Sequence, residues 1–220
     1  RYREAALLLR SFQNDYPHLL RRVFRRYGIP FFLDHRESVA HHPLAELTRG
    51  ALRTIAFHWK HQDWFATLKC GLVRFPAEDL DELENRALAH GWDAIAWHDG
   101  FKIPRDETLE RKLNRERVRL LEPFTILEKT LGPRPDAHTL VKGIRALWEA
   151  LSVEEQLESW AREDPGSALH STVWDQMLAW LDDLTLAFSG QQLPLSVWLP
   201  ILEAGLQNLT VGVVPPVLDQ

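Results

Sequence analysis

His35, His41, His42, His58 and His61 crowd the first third of the chain and are its most evident candidates for holding a metal ion. His58 and His61 stand three residues apart, as on one face of a helix. No nearby cysteine or carboxylate completes a ligand set of recognisable spacing, so a metal centre is not expected. Glu110-Arg111-Lys112 has the E-x-K form used by restriction-type nucleases. That chemistry needs the pair on a strand beside an upstream metal-binding aspartate. The leucines around the triplet repeat at helical spacing instead, which sets it aside. The chain has no G-x-x-x-x-G-K-[ST] phosphate cradle and no G-x-S-x-G elbow, and its single Cys70 forms no cysteine–histidine signature.

What remains is chemistry directed at polyanions. His18, Arg21, Arg22 and Arg25 fall at i, i+3, i+4 and i+7, one face of a helix whose other face carries Leu19, Leu20, Val23 and Phe24. Such a stripe suits a phosphate backbone and equally an ordinary solvated face. Trp59, Trp64, Trp92 and Trp97 could stack on bases, worth about 1–3 kcal/mol each where they do. Tryptophans at helical spacing are more often core, so at most one or two of the nine are expected to be exposed.

Charge supports the same focus on the N-terminal end. The chain has 220 residues and a net charge of −5, which disfavours a stand-alone nucleic-acid binder. Residues 1–60 nevertheless hold 11 Lys/Arg against 5 Asp/Glu, and residues 61–220 hold 15 against 26. A basic head on an acidic body confines any phosphate contact to the head, unless the asymmetry is only solvation. A hydrophobic content of 45% is enough for one sizeable core or two small ones. The lone cysteine suits a reducing compartment. No charged-then-apolar leader and no apolar run near about 18 residues is seen, so a cytoplasmic protein with no membrane contact is expected.

The elements that must position these groups change character near residue 38. Ala5–Leu9 is a short continuous apolar run bounded by charge, read as a buried strand. A basic amphipathic helix follows, stopped by Gly28, and Ile29–Leu33 reads as a second strand with Pro30 at its start. Strand, helix, strand with short joints predicts a parallel βαβ unit of right-handed crossover. From residue 38 onward the spacing is helical. Helices are predicted around Leu44–Ile55, Trp64–Leu72, Leu80–Leu88 up to Gly91, Leu109–Leu131 up to Gly132-Pro133, and Leu140–Leu151. Another opens at the capping box Ser152-Val153-Glu154-Glu155, and two more cover Met177–Phe188 and Trp198–Leu209. The fold class is therefore mainly α: a βαβ element over residues 1–37 and a helical body over residues 38–220.

Several segments carry a resemblance. Tyr27-Gly28-Ile29-Pro30-Phe31 after a helix is similar to a segment of the second RecA-like motor lobe of superfamily 1 helicases, and Glu4–Ser11 resembles their fourth motif. His41-His42-Pro43-Leu44 narrows the resemblance to AddB-type subunits of ATP-dependent helicase–exonucleases. Lys69-Cys70-Gly71-Leu72, Leu83-Glu84-Asn85-Arg86, Leu202-Glu203-Ala204-Gly205-Leu206 and Pro215-Pro216-Val217-Leu218-Asp219-Gln220 resemble further stretches of that family in the family's order. Cys70 stands where Thr is usual, and Arg86 where an aromatic is common. Residues 105–195 match no motif.

The resemblance implies that residues 1–37 are part of the 2A motor lobe and the helical body is a 2B-like insertion, so that the chain looks like an excised internal piece. It implies a nucleotide contact for Arg10, through a planar guanidinium suited to γ-phosphate charge. To the DNA contacts that spacing suggests at Arg21, Arg22 and Arg25 it adds His41, His42, Lys69 and Asn85, where helix capping is the plain alternative for the polar ones. No catalytic residue and no cofactor is expected in this piece, while ATP and Mg are expected for the parent complex. The implied role is non-catalytic DNA binding and scaffolding in double-strand break repair, beside DNA and a partner helicase–nuclease subunit. The rival roles are a fragment of an active superfamily 1 helicase, or a protein-interaction module for the partner subunit.

Overall fold

The computed structural model describes residue 7 and residues 16–31, 36–163 and 169–212. Among them the architecture is helical with one two-stranded ladder. The order is α1 (Tyr16–Arg26), β1 (Arg36–Ser38), a 3-10 turn (Val39–His41), α2 (Pro43–Ala56), α3 (His61–Leu68), α4 (Ala77–His90) and the short α5 (Ile95–Asp99). Then come α6 (Glu107–Leu131), α7 (Ala137–Ala150), α8 (Val153–Glu163), α9 (Leu169–Ala187), α10 (Leu195–Asn208) and β2 (Thr210–Gly212).

Local chemistry explains most boundaries. Asp106 and Asp136 cap α6 and α7 by accepting from the backbone N–H groups of Leu109 (2.9 Å) and Thr139 (2.7 Å). The bond from Thr139 also holds the Asp136 carboxyl below its ordinary pKa. Gly91 ends α4 in the left-handed conformation, φ +64°, where its missing Cβ removes the usual penalty.

The helical stripes meet in one core. α2 packs on α3 and α10, α6 on α7, and α9 on α7 and α8. Trp59, Trp64, Trp97, Trp148 and Trp198 are among its largest fully buried side chains. Trp64 stands edge-on to Phe124, with ring centroids 4.9 Å apart, and Trp97 edge-on to Phe101 at 5.0 Å. Trp59, Trp64, Trp92 and Trp97 are all buried, so none is a stacking platform for bases.

The parallel βαβ unit expected over residues 1–37 is not what the described residues show. Of Ala5–Leu9 only Leu7 is described, outside any strand and exposed. Ile29–Phe31 is irregular, and the rest of the second expected strand lies outside the described residues. The backbone supplies the reason at Ile29: its N–H is spent on Phe24 O at 2.9 Å, closing the C-terminal cap of α1 around Gly28. Pro30, next to it, has no N–H to give a ladder. The strands observed are elsewhere and antiparallel. Arg36, Glu37 and Ser38 face Gly212, Val211 and Thr210, and Val39 N–H extends the pairing to Leu209 O at 3.0 Å.

Candidate nucleic-acid interface

α1 keeps its sequence amphipathicity. Leu20, Val23 and Phe24 are half-buried, and Arg22, Arg25 and Arg26 are exposed. Phe24 meets Phe31 edge-on at 5.1 Å, so the chain folds back on the apolar face just beyond Gly28, φ +61°. α1 carries no acidic residue in its first turn and two arginines in its last, where they complement the negative end of the helix. Arg21 lies in α1 with its side chain outside the described residues, and Arg10 lies outside them altogether.

The other candidates sit around α2. His41 is exposed, its Nδ1 3.9 Å from Glu46 Oε1. His42 is buried and is the N-cap of α2, its Nδ1 accepting from Leu44 N–H at 3.2 Å. Because Nδ1 accepts, the neutral ring carries its proton on Nε2, which lies 3.0 Å from His170 Nδ1 on α9. His170 in turn packs edge-on against Trp160 of α8, centroids 5.3 Å apart, and Trp160 covers Gly71.

Burial, and then the neighbouring His170, push the His42 pKa down from 6.5 to about 4. The unfolded chain therefore takes up this proton first as pH falls. His42 costs no stability above about pH 6.5 and progressively destabilises the fold between there and pH 4, by up to about 3 kcal/mol. Thermal melts from pH 7 to 4.5 should show a smaller loss for His42→Asn, which can still cap but does not titrate. An unchanged loss would mean that this imidazole does not set the acid sensitivity.

Lys69, the C-cap of α3, donates to Asp81 Oδ1 at 2.7 Å and Glu84 Oε2 at 2.5 Å on α4. Asp81 and then Glu84 hold its ammonium above its ordinary pKa. One cation between two carboxylates leaves this spot net negative, which opposes a phosphate. Asn85, one residue beyond Glu84, is exposed, and its amide has no hydrogen-bond partner among the described residues. The candidates thus do not form one cluster: α1 carries the uncompensated charge, His42 and Lys69 are bound within the body, and His41 and Asn85 are exposed.

Arg49, which belongs to none of the sequence motifs, joins the segments that do. From α2 it donates to Glu203 Oε1 (2.7 Å) on α10 and to Ala40 O (2.9 Å), and pairs with Glu46 Oε1 (2.6 Å). Burial alone would raise the Glu203 pKa, but the bond from Arg49 leaves that carboxyl below its ordinary value. A groove of about 600 Å³ runs past this network, lined also by Arg53, Phe57, Asp63 and Ser196. The only sequence hint was Arg49 standing three residues after Glu46 on the same helix. Among the described residues no group of three or more His, Cys, Asp or Glu is placed to hold a metal ion. Glu110, Arg111 and Lys112 are used locally, accepting from Ile103 N–H and pairing with Glu107 and Glu116.

HHPL therefore caps α2, while KCGL closes α3 and LEAGL lies on α10, the two helices that pack against it, which is how an order of weak motifs becomes one structural unit. Comparison with known proteins agrees with that unity. No family model matches the chain. Curated proteins do, each over all of it. They are the B subunits of the ATP-dependent helicase/deoxyribonucleases of Desulforamulus reducens at 33% identity, of Pelotomaculum thermopropionicum at 32% and of Geobacillus thermodenitrificans at 31%. Along its whole length the chain is similar to this family, AddB. It spans 21% of the length of each of these three relatives. Resemblance to AddB thus extends through residues 105–195, where no motif was recognisable. No helix among the described residues is long and apolar enough to cross a membrane.

Proposed function

We propose that this chain is a non-catalytic DNA-guiding and scaffolding region of an AddB protein working in double-strand break repair. The observation that carries the reading is the whole-length similarity to AddB, a helicase/deoxyribonuclease component. Two features of the structure support its division of labour. His42 caps α2, and Lys69 ties α3 to α4, as a scaffold requires. α1 exposes Arg22, Arg25 and Arg26, with no ion pair to any of them among the described residues. In this reading α1 tracks a single-stranded backbone, with Arg21 and the exposed His41 and Asn85 as further contacts. Arg10 serves a nucleotide, ATP and Mg act in the parent complex, and the body rests against the partner helicase–nuclease subunit in the cytoplasm.

The test is binding of an oligothymidine strand by the whole chain, followed by fluorescence anisotropy across a salt series. Binding should be weak, with a salt slope near 0.7 per phosphate neutralised. Arg22→Glu with Arg25→Glu should weaken it about tenfold or more at low salt with only a small fall in melting temperature, because both side chains are exposed and Arg25 otherwise only complements the end of α1. Unchanged affinity would remove α1 from the DNA path.

A further inference from the structure

The acidic body is densest in cations over one stretch of α6 and the loop before it. Residues 101–120 hold seven Lys/Arg against four Asp/Glu, while the rest of residues 61–220 hold eight against 22. The island is folded into a single surface. Asn114 of α6 donates to Phe101 O and accepts from Phe101 N–H, both at 2.9 Å, and Glu110 accepts from Ile103 N–H at 2.8 Å. These bonds fasten the loop after α5 along the first turns of α6. Arg117 faces inward, over the Phe101 ring and bonded to Trp97 O, and so belongs to the clamp.

The other cations face out. Lys102, Arg105, Arg111, Lys112, Arg115 and Arg119 are all exposed. The acids of the island are largely engaged: Glu107 with Arg111, Glu110 with Lys102 and Glu116 with Lys112. Arg105, Arg115 and Arg119 have no ion-pair partner among the described residues. Arg111, Arg115 and Arg119 follow at i, i+4 and i+8, one ridge of the helix, each step rising about 6 Å. Val118 lies beside that ridge and is 54% exposed.

We propose that this face of α6 is a second contact for single-stranded DNA, separate from α1, resting on the DNA-guiding reading above. The charge complementarity selects a phosphate backbone, since a concentrated positive ridge on a body of net negative charge offers a local attraction that salt screens from the remaining charge within about 8–10 Å. The exposed Val118 selects a single strand, because only unpaired bases present apolar faces to it. The ridge is narrow, so two or three phosphates are its capacity.

The experiment compares three forms of the whole chain on the same oligothymidine strand: unchanged, Arg115→Glu with Arg119→Glu, and Arg22→Glu with Arg25→Glu. The α6 reversal should weaken binding about tenfold at low salt and reduce the salt slope by about 1.4, two phosphates at 0.7 each. Circular dichroism should be unchanged, since both side chains are exposed. Arg115→Lys with Arg119→Lys should keep both the affinity and the slope. Loss with the α6 pair but not with the α1 pair would support the α6 contact and remove the α1 one. Loss with the α1 pair alone, slope and affinity being unchanged by the α6 pair, would overturn this proposal and leave the DNA-guiding reading standing. Loss with neither would overturn both.

Discussion

Replacing Trp148 by alanine is expected to destabilise the fold by about 4 kcal/mol, the middle of the range for deleting a buried aromatic. Trp148 is 1% exposed, and its indole N–H donates to Thr48 Oγ1 on α2 at 3.2 Å. Thr48 passes the interaction on by donating to Leu44 O at 2.7 Å. Removing the indole therefore opens a large void between α7 and α2 and cuts a buried hydrogen bond, but the Thr48 hydroxyl keeps its acceptor. Trp148→Phe should consequently cost much less, about 1–2 kcal/mol, from the lost bond and a smaller ring. Urea denaturation of the two variants measures the difference. A cost below about 1.5 kcal/mol for alanine would show that the seam between α2 and α7 collapses readily and is not tightly specified.

Gly50→Val should be comparably damaging, at about 3 kcal/mol. α2 and α3 approach so closely at this point that a Cβ on Gly50 would sit 2.5 Å from Thr67 Oγ1 and 3.4 Å from Thr67 Cα. Thr67 cannot swing away without loss: it is buried, donates to Asp63 O at 2.7 Å and shares a bond with Thr54 Oγ1 at 3.2 Å. Gly50→Ala tests the sign. Helix propensity alone favours alanine by about 1 kcal/mol, so a stabilised Gly50→Ala variant would contradict the close crossing. A melt showing net destabilisation, partly restored by adding Thr67→Ala, would support it.

These two residues show what a sequence can and cannot reveal. The helices of the body were legible because their leucines and tryptophans recur at 3.6-residue spacing, from Leu44 through Leu206, and glycine and aspartate mark ends at Gly91, Asp106 and Asp136. Gly50 was not legible as a crossing point, since nothing local distinguishes it from a tolerated helix glycine. The strand expected over Ile29–Leu33 is not seen at residues 29–31, because an apolar run has no periodicity by which to tell a ladder from a helix cap. β1 was missed for the opposite reason: Arg36-Glu37-Ser38 is polar, and its partner lies at Thr210–Gly212, far along the chain. Among the site residues, exposure of Arg22 and Arg25 followed from amphipathicity. The burial of His42 could not, because its reason is His170, more than a hundred residues away.

The β1–β2 ladder has a mechanical consequence. Its register places Arg36 opposite Gly212, at the end from which the chain enters and leaves, and Ser38 opposite Thr210 on the side of the helices. Tension carried by the flanking chain thus acts on the outermost pair and opens the ladder one rung at a time instead of shearing all rungs together. The ladder's outermost pair yields first, and the next rung carries Val211, which is buried in the core and passes the load to the interior. Its reclosure spans a loop of roughly 170 residues, whose ends would be costly to bring together in an unfolded chain, by about 4–5 kcal/mol plus a constant. The folded helices keep those ends side by side, so the outermost rung can part and rejoin while the body stays intact.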